Sequence, residues 1–215
     1  MRIRLDLHVH TTYSFDSTIE PAGLREICRK RGLDGVAVTD HDSLRGSLEF
    51  AAELPDLIIV PGSEIRSAEG EIIGLFLSED VPPGLTAPET MRRIREQGGL
   101  VLMPHPFDIV KLRRMTSRRL EELRGEIDAI EALNGKPRWW LANRSAGRFA
   151  ARFDLPVTAG SDAHKADHVG LLYTEMEEFA DPTGFLASLR GASLHGGRYS
   201  PWASQLDRWK ARLRK

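Results

Sequence analysis

Five short stretches of this sequence carry residue types that bind cations. They are His8-Val9-His10 with Asp16, Thr39-Asp40-His41-Asp42, Gly62-Ser63-Glu64, Pro104-His105-Pro106 and Gly160-Ser161-Asp162-Ala163-His164. His8 and His10 stand two positions apart, as do Asp162 and His164. In extended backbone such pairs point to one face and reach a common point above a strand end. Imidazole combined with carboxylate suits Zn, Mn or Fe(II). Cys28 is the single cysteine, which excludes a thiolate cluster and an intramolecular disulfide. One histidine near a strand end is more often structural. Five acid/histidine groups, most of them after an expected strand, are what a shared metal centre leaves in a sequence.

The elements that would position these groups alternate along the chain. Ile3, Leu5, Leu7 and Val9 alternate with polar residues and predict a strand over 3–9. Glu20 and Pro21 start a helix that ends at Gly32, with Ala22, Leu24, Ile27 and Cys28 on its apolar face. A short buried strand over 35–38 leads directly into the TDHD stretch, and a helix over 44–54 follows. The run LIIVPG is expected to be a strand that stops near Pro61 and Gly62, leaving Glu64 just beyond. Residues 71–77 read as a strand, Thr86 to Gln97 as a helix, and GGLVLMPHP as turn, strand and abrupt end. Helices are expected over 117–124, 139–152 and 183–190, and strands over 127–133 and in LPVTAG. Strand–helix alternation of this kind predicts an α/β fold, a barrel before an open doubly wound sheet. Neither GxGxxG nor GxxxxGK follows an early strand, so Rossmann and P-loop assignments lack their main support.

Composition narrows the function classes. The chain has 215 residues, 41% apolar and 28% charged, enough to bury one core, and a single domain over 1–215 is expected. Thirty Lys and Arg against 31 Asp and Glu give a net charge of -1, which argues against a dominant nucleic-acid footprint. No apolar run reaches the length of a membrane span and the first residues lack a signal-peptide pattern, so a cytoplasmic location without membrane association is expected. Residues from about 200 to 215 form a basic C-terminal tail with Trp202 and Trp209. Nothing in the sequence calls for an obligate protein partner.

The segments DLHVHTTYSFD (6–16), TDHD (39–42), GSEI (62–65), MPHP (103–106) and AGSDAH (159–164) resemble, in order, those of the PHP (polymerase and histidinol phosphatase) superfamily. The resemblance implies a distorted (β/α)7 TIM-like barrel holding two or three divalent metal ions (Mn, Fe or Zn). It also implies hydrolysis of phosphate esters by a metal-activated hydroxide. His8, His10 and Asp162 are then the first-metal group, Glu64 the bridging carboxylate and His105 a second-metal ligand. Asp16, His41 and His164 are the third-metal group. Asp16, His41, Glu64, Asp162 and His164 are the residues expected to serve the reaction itself. Asp40 is expected to orient His41 or a nearby ligand from behind. One position departs from the family pattern: Glu71 stands where a further second-metal histidine is common. It either supplies an oxygen ligand, favouring Mn or Fe over Zn, or faces away.

Contacts to a substrate phosphate are expected among Lys136, Arg144, Arg148, Lys165, His168, His195 and Arg198. Arg144 and Arg148 share a helix face, and Lys165 and His168 follow the AGSDAH loop. The expected substrate is a small phosphorylated metabolite, a nucleotide or a short oligonucleotide. The competing assignments are a histidinol-phosphate-type phosphatase, a non-catalytic metal-binding module and an amidohydrolase-like hydrolase. Ser14 and Ser161 lie inside metal-loop motifs without a base of their own and are not read as nucleophiles.

Overall fold

In the computed structural model, which describes residues 1–108, 114–135 and 140–196, nine strands form one sheet in the order β7-β6-β5-β4-β3-β2-β1-β8-β9. In chain order the elements are β1 (Arg2–Val9), α1 (Pro21–Arg31), β2 (Gly35–His41), α2 (Arg45–Glu53), β3 (Ile58–Ser67), β4 (Gly70–Leu75), α3 (Ala87–Glu96) and β5 (Leu100–Met103). They continue with α4 (Ser117–Glu122), β6 (Ala129–Asn134), α5 (Trp140–Arg152), β7 (Val157–Gly160), β8 (Leu172–Glu177), α6 (Pro182–Leu189) and β9 (Ser193–Gly196). The basic tail, Lys136 and Arg198 lie outside the described residues.

Strands β1, β2 and β3 pair in parallel, as do β5, β6 and β7. Strand β4 runs antiparallel to both of its neighbours. It follows β3 through a two-residue turn at Ala68 and Glu69, too short for a crossover helix. This hairpin is the distortion of the barrel. The sheet curls until the segment just past β7 meets β1 through one isolated parallel bridge, Val9 with Ala163. His10 N donates to Ala163 O at 3.0 Å and Asp162 N to His8 O at 2.9 Å along the same seam. Strands β8 and β9 then extend the sheet past β1.

Leu5, Leu7, Val60, Ile73, Leu75, Leu102 and Met176 fill the barrel interior on one side. Two further apolar clusters lie under the helices, one with Ile72, Met91, Ile94 and Phe149, the other with Leu24, Cys28, Val36 and Phe50. Burial of this scale is the main force holding the strand ends in place. Helix α1 ends as its sequence predicts: Gly32 takes the left-handed conformation at φ 64° and its N–H returns to the last turn. No helix among the described residues is long and apolar enough to cross a membrane.

Two expectations need correction. Strand β3 does not stop at Pro61 and Gly62 but runs to Ser67, because Pro61 still pairs through its carbonyl, which accepts from Phe76 N at 2.6 Å. Glu64 is therefore inside the strand, opposite His41 of β2. Strands β8 and β9 were not expected, although Leu172, Thr174 and Met176 alternate in burial with Tyr173, Glu175 and Glu177.

Candidate metal centre

Each of the seven barrel strands delivers an imidazole or carboxylate to one end of the barrel. β1 brings His8 and, one residue past its end, His10. β2 brings His41, β3 brings Glu64 and β4 brings Glu71. His105 follows β5, Glu131 lies within β6, and Asp162 and His164 follow β7. Because β4 runs backwards, Glu71 near its start shares an end with residues at the finish of the parallel strands. The pairing of Arg66 with Glu71 puts Glu71 on the same sheet face as Glu64.

Glu64 is the hub. Its Oε1 lies 2.8 Å from His105 Nε2 and 3.7 Å from His8 Nε2. Its Oε2 lies 3.1 Å from His41 Nδ1 and 3.5 Å from His10 Nε2. Asp162 Oδ1 stands 3.7 Å from His8 Nε2 and 3.4 Å from His10 Nε2. Asp16 joins His41 and His164, with Oδ1 3.6 Å from His41 Nε2 and Oδ2 3.1 Å from His164 Nε2. Glu71 Oε2 is 3.7 Å from His105 Nε2, and Glu71 offers an oxygen to the group formed with His41 and Glu64. The other groupings of donor atoms are His8–His10–Asp162, His10–His41–His164 and His8–His105–Glu131.

The donor atoms fit cations better than they fit one another. Glu64 Oε2 and His41 Nδ1 are buried without a hydrogen-bond partner, although they are neighbours. His8 Nε2 and His10 Nε2 face each other at 3.1 Å. Their outer nitrogens are held elsewhere. His8 Nδ1 donates to Glu131 Oε1 at 3.0 Å. His10 Nδ1 meets Ser14 Oγ at 3.2 Å, and that hydroxyl donates to Asp40 Oδ1 at 2.6 Å, leaving its lone pairs to accept from His10. Such outer contacts fix the tautomer and leave the inner nitrogen as a lone-pair donor. His164 Nδ1 donates to the Asp162 carbonyl at 3.0 Å, which turns its Nε2 toward Asp16.

Electrostatics follow from this packing. Burial would raise the Glu64 carboxyl, but His8, His105 and His41 hold it well below the usual carboxylate range. Burial would lower His8, but Glu131, Asp162 and Glu64 hold its imidazole well above its ordinary value. Burial pushes His10 down to about 3, with the His8 charge adding to the effect.

Supporting residues tie the loops to the strands. Asp40 does not bond the His41 ring. It accepts from Thr11 N at 2.7 Å, Thr11 Oγ1 at 2.6 Å and Ser14 Oγ at 2.6 Å, and it reaches His10 through Ser14. Asp6 accepts from Ser161 N at 2.8 Å and Gly170 N at 2.7 Å, pinning both ends of the loop that carries Asp162 and His164. Burial pushes the Asp6 carboxyl up to about 6. Gly160 has no room for a side chain: a Cβ there would sit 2.4 Å from His8 Cβ and 2.7 Å from Glu131 Oε1. Asp162 and His105 adopt positive φ of 52° and 29°, a backbone cost of the kind that collects at functional sites.

Glu131 was missed in the sequence. Its second oxygen accepts from His105 N at 2.8 Å and Asn134 Nδ2 at 2.9 Å, so one buried carboxylate braces ligands from β1 and β5. The expected phosphate contacts are placed unevenly. Lys165 and His168 lie in the loop after β7, exposed and half-buried. Arg144 and Arg148 are exposed on α5. His195 sits on β9, where it stacks on Tyr173 at 4.9 Å, and the described geometry does not bring it into the cluster.

A model of the PHP domain matches residues 6–110, and one described as PHP-associated matches residues 140–193. The uncharacterized protein MJ1587 of Methanocaldococcus jannaschii is 38% identical over 161 residues, covering 67% of this chain and 89% of the relative. The chain belongs to the PHP superfamily. Solved structures of similar fold include a two-domain protein from Bacteroides vulgatus containing a predicted PHP-like metal-dependent phosphoesterase, with a TM-score of 0.74 and 18% identity. The match covers 91% of this chain and 65% of that one. Endonuclease Q in complex with a 27-mer duplex bearing an abasic lesion has a TM-score of 0.69 and 17% identity, with 92% of this chain and 60% of that one covered. This PHP chain thus spans under two thirds of the length of both structures, and the likeness is one of fold. The distorted barrel and the clustered ligand sets for divalent ions are those expected of the superfamily.

Proposed function

We propose that this chain hydrolyses phosphate esters of a small phosphorylated metabolite, a nucleotide or a short oligonucleotide, using two or three divalent ions. The observation that carries this reading is Glu64, a fully buried carboxylate within reach of four histidine nitrogens from three different segments. His8, His10 and Asp162 with one Glu64 oxygen would hold one ion. Glu64, His105 and Glu71 would hold a second, and Asp16, His41 and His164 a third.

Divalent ions bound there supply Lewis acidity toward phosphoryl oxygens and acidify water near neutral pH. The overall reaction adds water to phosphorus, breaks the P–O ester bond and leaves a proton on the departing oxygen. The chain's residues set up that event. Glu131 and Asp40 hold the outer nitrogens of His8 and His10, directly and through Ser14, so that the inner nitrogens face the ions. Asp16, with its side chain 38% exposed, marks the open side through which substrate arrives. Lys165 and His168, beyond His164, are the hydrogen-bond donors best placed in sequence to meet a phosphate. Ser14 is committed to Asp40 and His10 and is not a nucleophile.

The test is phosphate release from monoesters, diesters and nucleotides by the Mn-, Fe- or Zn-loaded protein, with metal content measured on the same sample. Glu64→Gln should lose metal and at least roughly a hundredfold in activity, beyond the loss typical of an outer-contact variant. A fully loaded protein inactive on all three substrate groups would overturn the reading.

A further inference from the structure

Phe15 separates Ser14, which braces His10, from Asp16, which joins His41 to His164. Its side chain is 82% exposed. It is the only exposed large aromatic among the described side chains, the two described tyrosines being half-buried. Exposure here is not looseness. Ser14 N donates to Thr11 O at 2.9 Å and Ser17 N to Ser14 O at 3.2 Å. Ser17 Oγ donates to His10 O at 2.9 Å and Thr18 N to His164 O at 3.2 Å. The turn is therefore tied on both sides to the segments that carry metal-ligand candidates.

The Phe15 ring stacks on His41, with centroids 5.4 Å apart and planes 24° from parallel. The rest of the ring faces solvent beside Asp16. A ring so placed adds little to the core. Single exposed apolar side chains are ordinary on protein surfaces. One stacked on a metal-site histidine, on a turn tied down by hydrogen bonds, offers a flat apolar face beside the candidate ion site. Planar heterocycles stack on such faces with little regard to their substituents, which suits recognition of a nucleobase.

We propose that Phe15 is the platform on which the substrate's nucleobase stacks while its phosphate lies at the ions, making nucleotides the substrate class. The proposal rests on the phosphoesterase reading above. It selects nucleotides over phosphate esters of acyclic alcohols or bare sugars.

The experiment compares the metal-loaded full chain with Phe15→Ala, Phe15→Leu and Phe15→Trp. Kinetics are measured on adenosine monophosphate and ribose 5-phosphate, and binding of both is measured by calorimetry on the Ca-loaded protein. Phe15→Ala should raise KM for the nucleotide by about five- to a hundredfold, the range expected for loss of one stacked base. It should leave kcat within about twofold and ribose 5-phosphate unaffected. Phe15→Trp should keep nucleotide affinity, and Phe15→Leu should not. Equal effects on both compounds, no effect on either, or full retention by Phe15→Leu would overturn the platform. If the wild type hydrolyses neither compound, the phosphoesterase reading fails on these esters. The platform is then decided by binding alone: it stands if the nucleotide binds more tightly than ribose 5-phosphate and Phe15→Ala removes the difference, and it falls otherwise.

Discussion

Glu131 Oε1 accepts from His8 Nδ1 at 3.0 Å with both side chains fully enclosed. The contact orients the imidazole so that, once an ion displaces the Nε2 proton, Nε2 presents its lone pair to the centre. Glu131→Gln can still accept at His8 but loses its charge, and Glu131→Ala loses both. Metal affinity should fall about tenfold in the first and up to about a hundredfold in the second, measured by chelator competition. Equal affinity in Glu131→Ala and wild type would remove Glu131 from the centre.

Metal binding should strengthen as pH rises. In the metal-free protein Glu131, Asp162 and Glu64 raise His8 above its ordinary value. Its protonation therefore stabilises the fold below about pH 6.5, and that contribution is lost as pH climbs through the elevated folded value. An ion must displace this proton, so apparent affinity should gain up to about tenfold per pH unit until His8 is neutral without metal. Calorimetry in buffers of different ionisation enthalpy should show proton release. A pH-independent constant with no proton release would contradict the assignment.

Gly160→Ala should damage the centre without removing a ligand. The new methyl would meet His8 Cβ and Glu131 Oε1 at distances no real side chain tolerates. Overpacking of this kind costs about 1–3 kcal/mol. A lowered thermal midpoint is expected together with reduced metal content. A variant with wild-type midpoint and full metal content would show that the strand relaxes freely.

Cys28 should be chemically silent. Burial in the α1 face pushes its thiol up to about 12, so the folded protein carries almost no thiolate at neutral pH. Iodoacetamide should label it only after unfolding. Since the folded value lies above the unfolded one, its contribution to stability is intact below about pH 8.5 and fades as pH rises toward 12. Rapid labelling under native conditions would mean that α1 opens readily.

The histidine ligands were legible because each lies in a short motif beside a readable apolar strand, with an acid close by in every motif but that of His105. Glu131 was not, since IDAIEAL reads as one more apolar strand. Its signal was physical: a carboxylate in a buried strand needs donors, and Asn134 alone nearby supplies one, leaving the rest to His8 and His105 from distant strands. Glu64 was found but set past its strand, because Pro61 and Gly62 resemble a stop. Pairing with β2 as far as Glu64, and with β4 as far as Ser67, explains why the strand continues. The pairing with β4 also turns Glu71 toward His105, an orientation the sequence left open between two faces. Asp40 was expected to steer a ligand, but its route through Ser14 to His10 needed the folded turn. Lys136 and Arg198 fall outside the described residues.

The seam between β1 and β7 gives the barrel a particular mechanical character. Its bridge at Val9 and Ala163 is flanked by His8, His10, Asp162 and His164, so the join closed by a single bridge coincides with the residues that would grip an ion. A cation held by these residues would act as a rivet. Loading the centre would then also lock the cylinder, and a chelator should loosen the wall first along this line.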